Sequence, residues 1–264
     1  VLINYLQAVE HPEAVTFRGD LQATAIQLPE PAMDQAVLIT QVAAQLNGNI
    51  AHYEHDLVVD ANWLGDQPLQ LQLSGQGTQT TLNTSLQLRS DALSADVTAD
   101  VSWQDALVLQ ADIHQLQVPI GQFTGQQLDQ LQAQGILGFE NNRLMANQLA
   151  ISADDNLLRL NGAMTAAEPL ILELQLPELA QLHQHDYVAG QASAVLAIAG
   201  DILEQLTINI NSFELDHPDF GRWQQAKTGS IQLPIAQPLA TSMHDVCFKQ
   251  QDVRIPAELC LMTE

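Results

Sequence analysis

The chain has 264 residues, of which only 5% are aromatic and 15% charged, well below the usual quarter. Its 31 Asp and Glu against 8 Lys and Arg give a formal charge of -23. That balance repels phosphate backbones and anionic bilayer surfaces, so it argues against nucleic acid as a partner and against tight docking on a membrane surface. Solubility is the plain reading of the charge, since repulsion keeps long sheet edges from pairing with their copies.

Residues 1–31 are mixed, with a loop over Val9-Glu10-His11-Pro12-Glu13 and a strand-like stretch from Ala14 to Ala25. Val37 to Leu46 fits a strand or a short helix, Gly48 ends it, and Ile50 to Val59 begins another strand. From Pro68 a period of two takes over, the mark of strands with one apolar and one polar face. Leu69, Leu71 and Leu73 alternate with Gln70 and Gln72, and Gly75-Gln76-Gly77 turns. Thr80 to Leu88 alternates, then Ala95 to Trp103, then Leu107, Leu109, Ala111 and Ile113, as in an antiparallel meander. An interruption near 119–135 follows. Strands resume at Ile136 to Phe139, Arg143 to Ile151, Asn156 to Met164 and Pro169 to Leu176. A second interruption near 177–190 holds Leu179 and Leu182 at helical spacing. Gln191 to Ala199, Leu203 to Asn211, Ser230 to Leu233, Met243 to Cys247 and Val253 to Leu261 complete the series.

The pattern predicts an all-β chain. Residues 1–264 form one continuous repetitive segment with no Pro/Gly/Ser linker, a long antiparallel meander of roughly twenty strands. At about 4.8 Å per strand it spans on the order of 95 Å, so an open sheet of this size must curl or twist. The chain starts at Val1 without Met and ends at Glu264 just after strand-like Leu259-Cys260-Leu261. A piece of a longer protein is therefore expected, with any membrane anchor outside it. No apolar stretch is long enough to span a membrane as a helix.

Catalysis needs convergent polar groups, and the candidates read as structure. Asp154-Asp155 sits between strand signals, where a solvated turn accounts for it. The histidines include His52 with His55, and His183 and His185 followed by Asp186; the second group has a His-x-His spacing and a carboxylate that a metal could use, but it lies in an interruption where polar residues belong. No Gly-x-Ser-x-Gly elbow and no phosphate loop occurs. The reading is therefore non-enzymatic, with no cofactor and no metal. Trp63, Trp103 and Trp223 are scattered and read as core or rim packing. Cys247 and Cys260 each sit in a strand-like segment, and spacing alone leaves a disulfide and two free thiols equally open. A bridge there would stabilise the short loop it closes by about 3 kcal/mol.

The apolar face itself remains. Its inward positions are Leu, Val, Ile and Ala, with few of the aromatic residues that fill sandwich cores. A smooth aliphatic surface cannot recognise hydrogen-bonding groups, but it can hold acyl chains, at about 0.8 kcal/mol per buried methylene. Parity places Leu69, Leu71, Leu73, Leu86, Leu88, Val97, Val101, Leu107, Leu109, Ile113, Leu158, Leu160, Leu170, Leu172, Leu174, Leu176, Leu196, Ile198, Ile208 and Ile210 on it. A register slip would invert that set.

The C-terminal stretch carries a resemblance. Phe220-Gly221-Arg222-Trp223, Thr228-Gly229-Ser230-Ile231, Cys247-Phe248 and Ala257-Glu258-Leu259-Cys260-Leu261 resemble the TamB family of Gram-negative bacteria, within the AsmA-like group of bridge-like proteins. Leu174-Gln175-Leu176-Pro177-Glu178-Leu179, then Gly190 and Ala192 to Gly200, looks like that family's recurring unit. The resemblance implies an open trough, a β-taco, with a hydrophobic interior. It implies a periplasmic location, as part of an inner-membrane-anchored protein, and a role in the translocation and assembly module. It further implies phospholipid acyl chains as ligands and the outer-membrane barrel TamA as a partner reached through parts of the protein outside this chain. An oxidising periplasm would make Cys247–Cys260 a disulfide. The competing expectation is a chaperone scaffold whose edges pair with nascent outer-membrane barrel proteins and autotransporters. A closed β-sandwich with a purely structural core is the third.

Overall fold

A computed structural model describes residues 16–27, 38–63, 67–119, 130–182, 189–236, 240–251 and 257–261. The described residues form eighteen β-strands and one 3-10 helix, Leu179–Leu182. Two compact units divide the chain at Val118 and Pro119, within the first interruption.

The first unit is a seven-stranded antiparallel meander: β1 (Thr16–Gln27), β2 (Leu38–Asn49), β3 (Tyr53–Trp63), β4 (Gln67–Gly77), β5 (Thr81–Arg89), β6 (Ser94–Ser102) and β7 (Val108–Val118). Each strand pairs with the next, and β1 and β7 do not pair with each other, so the sheet is open. The stretch that fitted either strand or helix is β2. The β-branched and amide-rich composition of Leu38–Asn49 and its pairing on both edges settle it as a strand.

The second unit begins with β8 (Leu131–Glu140), β9 (Arg143–Ala153), β10 (Asn156–Ala163), β11 (Leu170–Leu176), β12 (Gln191–Gly200) and β13 (Gln205–His217), again paired in sequence. At β13 the sheet forks. Its 13 residues are long enough to pair with β14 (Gly221–Gln225) along one half and β15 (Gly229–Pro234) along the other. β14 leads to β17 (Val246–Gln250) and β18 (Glu258–Leu261), while β15 pairs with β16 (Ser242–His244).

Turn chemistry explains the tight connections. Asn141 and Asn142 both have positive φ, at 49° and 59°, which suits the two-residue turn between β8 and β9. Asp154 and Asp155 form the turn between β9 and β10, as the solvated-turn reading required. β8 starts five residues before the expected Ile136. Gly135, at φ +126°, lies in a register shift that hides its strand pattern. Trp103 falls outside the alternation expected of it. It follows the end of β6, is 42% exposed, and donates from Nε1 to Gln79 O at 2.9 Å.

No second layer of described strands or helices lies over either sheet, yet Leu149 is 3% and Leu170 4% exposed. In a single-layer sheet such burial requires curling, so that side chains of one face close over each other. The fold is thus an open, curled all-β sheet in each unit, neither a barrel nor a two-sheet sandwich.

Gly135 and Gly19 test this construction. A Cβ on Gly135 would lie 2.5 Å from Gln148 O and Leu149 Cα, whereas one on Gly19 meets only Leu46 Cβ at 3.9 Å. In urea unfolding, Gly135→Ala should lose at least about 1 kcal/mol, and Gly19→Ala should change stability by less than about 0.5 kcal/mol.

Candidate functional site: the apolar face of the sheet

Directly opposed residues of an antiparallel pair share a face, so the registers give the face row by row. In the first unit one row runs Leu21, Ala44, Leu57, Leu73, Leu86, Val97, Ile113 across all seven strands. The next runs Ala23, Val42, Val59, Leu71, Leu88, Ala95, Leu116. A third ends in Leu82, Val101 and Leu109. Leu69 opposes Ala61. Leu107 precedes β7 and is 51% exposed, beyond the end of these rows.

One end of this face is built differently. Phe17, Tyr53 and His55 form a ring cluster, with successive centroids 6.3 Å apart. Glycines on the adjacent strand make the room: Tyr53 lies where a side chain of Gly77 would be, and His55 Cε1 is 2.9 Å from the position a Gly75 Cβ would take. His55 Nε2 is 3.1 Å from Thr84 Oγ1, whose hydroxyl donates to Ser74 O.

The second unit repeats the pattern. Ala133, Ile151, Leu158, Leu174, Ala194 and Phe213 form one row, and Leu149, Leu160, Leu172, Leu196 and Ile210 the next. Leu170, Ile198, Ile208, Ile231 and Met243 follow, and Leu176, Ala192, Leu215 and Trp223 lie at the other end. Beyond the fork the face continues through Phe248, whose ring meets that of Phe213 edge-on at 5.1 Å, to Leu259. Most of these side chains are half-buried.

Within each unit the residues singled out by parity, Leu107 excepted, therefore share one face. Parity missed Leu57, Val59, Leu116, Leu149, Ile151 and Ile231, which complete the rows. Leu57-Val58-Val59 masks its alternation with a third apolar residue, and Leu116 changes parity because a register shift falls beside it.

The opposite face is mostly polar, with apolar exceptions such as Val58, Ile171 and Val195. Asp60 accepts from Gln70 Nε2 at 3.0 Å, Asp100 from Asn83 Nδ2 at 2.6 Å and Glu214 from Gln224 Nε2 at 3.1 Å. Asp155, Glu214, Asp216 and Arg222 border a shallow hollow of about 270 Å³, where Arg222 sits 3.5 Å from Glu214. Ser193 also lines the hollow, directly opposed to Glu214, and the Arg222–Glu214 pair is a solvated ion pair with both side chains about half exposed. His52 is exposed, and His183, His185 and Asp186 lie outside the described residues.

Cys247 and Cys260 are directly opposed on β17 and β18 and form a disulfide. It ties the exposed terminal strand to buried Val246 and Cys247. Glu258 stands near both cysteines, but sulfurs bonded to each other offer no thiolate to a metal.

No protein-family model, no curated protein and no solved structure matches this chain.

The disulfide yields a local prediction. It closes a loop between residues 13 apart, a constraint of about 3 kcal/mol. On reduction, amide hydrogen exchange should accelerate at Glu258–Leu261 and stay unchanged at Leu170–Leu176.

Proposed function

We propose that the apolar face of each unit is a groove for lipid acyl chains, and that the chain is a non-enzymatic bridge segment. On this reading it carries phospholipid between inner and outer membrane in the periplasm, within the translocation and assembly module, as the resemblance to the TamB family implies. One observation carries the proposal: the rows of Leu, Val, Ile and Ala cross every strand of the first unit's sheet without a covering layer among the described residues. Such a strip suits a methylene chain, whose affinity grows with length at about 0.8 kcal/mol per buried CH₂ and needs no directional contact.

A second reading, a chaperone scaffold for barrel proteins, draws on a separate observation. The 12-residue β1 pairs only with β2 among the described residues, leaving a long edge able to accept a strand.

Photo-crosslinking separates the two. A crosslinker at Leu86 or Leu172 should capture lipid, and one at Gln72 or Gln87 on the opposite face should not. Polypeptide adducts at β1 with no lipid at Leu86 or Leu172 would favour the scaffold. Leu172→Glu, which sets an unpaired charge in the strip, should abolish lipid capture at neighbouring positions while the far-ultraviolet circular dichroism stays that of a β protein.

A further inference from the structure

Among the described residues, four buried side-chain polar atoms have no hydrogen-bond partner in the protein: His55 Nδ1, Gln67 Oε1, Asn156 Oδ1 and Gln225 Oε1. All four residues stand on the apolar face. Gln67 shares parity with Leu69, Asn156 with Leu158 and Leu160, Gln225 opposes Phe248, and His55 opposes Gly75.

Three of the four are fixed as acceptors by their surroundings. Gln225 Nε2 donates to the carbonyls of Ile210 and Lys227, so its oxygen is the atom left over. Thr84 gives its hydrogen to Ser74 O and so accepts from His55 Nε2–H, the tautomer in which Nδ1 is a bare lone pair. Gln181 Nε2 donates to the Glu178 carboxylate, so Gln181 turns its oxygen toward Asn156 at 3.0 Å. Asn156 therefore presents Nδ2 to Gln181, and Oδ1 is the orphan. Asn156 is also the most enclosed of the four, at 5% exposure.

A buried acceptor without a donor loses its hydration and gains nothing in return. A ligand bearing N–H or O–H groups supplies the missing half, and a phosphate or ester, which only accepts, does not. Asn156 stands at the end of the strip formed by Leu158, Leu160, Leu172 and Leu174, where a headgroup would sit if the acyl chain lay along those leucines.

We propose that the second unit selects lipids whose headgroup carries hydrogen-bond donors, an ammonium or a hydroxyl, and that Asn156 Oδ1 receives that donor. The proposal rests on the acyl-groove reading and narrows it to a ligand class. The oxygen is shielded from solvent, so a headgroup reaches it through a turn of the Asn156 amide.

Two lysolipids with the same palmitoyl chain test the idea on the delipidated protein, below their micellar concentrations. Lysophosphatidylethanolamine has three N–H donors, and lysophosphatidylcholine replaces them all with methyl groups at the same charge. Calorimetry should give about tenfold tighter binding of the ethanolamine form, the scale of one hydrogen bond to a charged group. Asn156→Leu should bring the ratio to about one with choline-form affinity unchanged. Gln181→Met, which keeps the acceptor, should preserve the ratio. If Asn156→Leu does not fold, Asn156→Asp replaces it and should raise the ratio above the wild-type value. A wild-type ratio near one, a preference that survives Asn156→Leu, or no rise in Asn156→Asp would each overturn the proposal while leaving the groove in place. Binding of neither lysolipid would overturn the groove and the selection together.

Discussion

An antiparallel ladder puts directly opposed residues on one face, and a shift of one residue sends a whole strand's side chains to the other. Register is therefore the constraint on which the apolar face depends. It holds across strands of unequal pattern because irregularities absorb the mismatch. In β7 the apolar positions run Leu109, Ala111, Ile113 and then Leu116. The shift between Asp96 and Val97 on β6 takes up the extra residue, so Ile113 faces Val97 and Leu116 faces Ala95. In β13 the change from Ile208 and Ile210 to Phe213 and Leu215 coincides with the shift between Val195 and Leu196. Each bulge also increases local twist, which helps a wide sheet to curl instead of lying flat. The devices that keep the face apolar thus also bend it.

The polar face solves a different problem. A net charge of -23 on one chain would repel itself apart if carboxylates met across strands, since like charges directly opposed are destabilising. In the described pairings no acidic residue opposes another. Asp56 faces Gln45 and Ser74, Asp96 faces Gln87 and Gln115, and Asp100 faces Asn83 and Gln110. In the second unit Glu173 faces Arg159, Asp216 faces Arg222 and Glu258 faces Lys249. Amide side chains donate to the carboxylates, so the charge stays spread out and hydrated. Solubility then comes from this face alone, and the other is free to be aliphatic.

The sequence showed most of this wherever strand pattern is local. Leu69-Gln70-Leu71-Gln72-Leu73 announces its own two faces, and the structure places those leucines together with Leu86, Leu88 and Val97. What depends on distant pairing was not legible. The fork at β13 follows from which strands meet its two halves, and nothing within Gln205–His217 announces it. Trp103 continues the alternation of β6 in sequence but is drawn out of it by its bond to Gln79, 24 residues away. The cluster of Phe17, Tyr53 and His55 needs glycines from β4 beneath it, and Gly75 and Gly77 read locally as a turn. The disulfide stood undecided on spacing and became evident only when β17 and β18 brought Cys247 opposite Cys260.

If the apolar face is an acyl groove as proposed, the single-layer sheet of each unit leaves no division between core and site. In an ordinary domain, filling the interior with larger side chains adds packing until it overfills. Here the half-buried aliphatic rows already supply what packing the sheet has, and on the acyl-groove reading bulkier residues in place of Ala99, Ala111 or Ala194 would gain burial by taking the space that reading assigns to a ligand. The aliphatic composition follows from the same conflict. Leu, Val and Ile hold the curl together through contacts that are individually weak and undirected, so an acyl chain can replace one neighbour with another at little cost. Aromatic rings and hydrogen-bonding groups would fix it in place. Tyr53 and His55 stand at one end of the strands in one unit and Asn156 at the start of β10 in the other, beside the leucine rows, where on the acyl-groove reading a headgroup held still would not obstruct them.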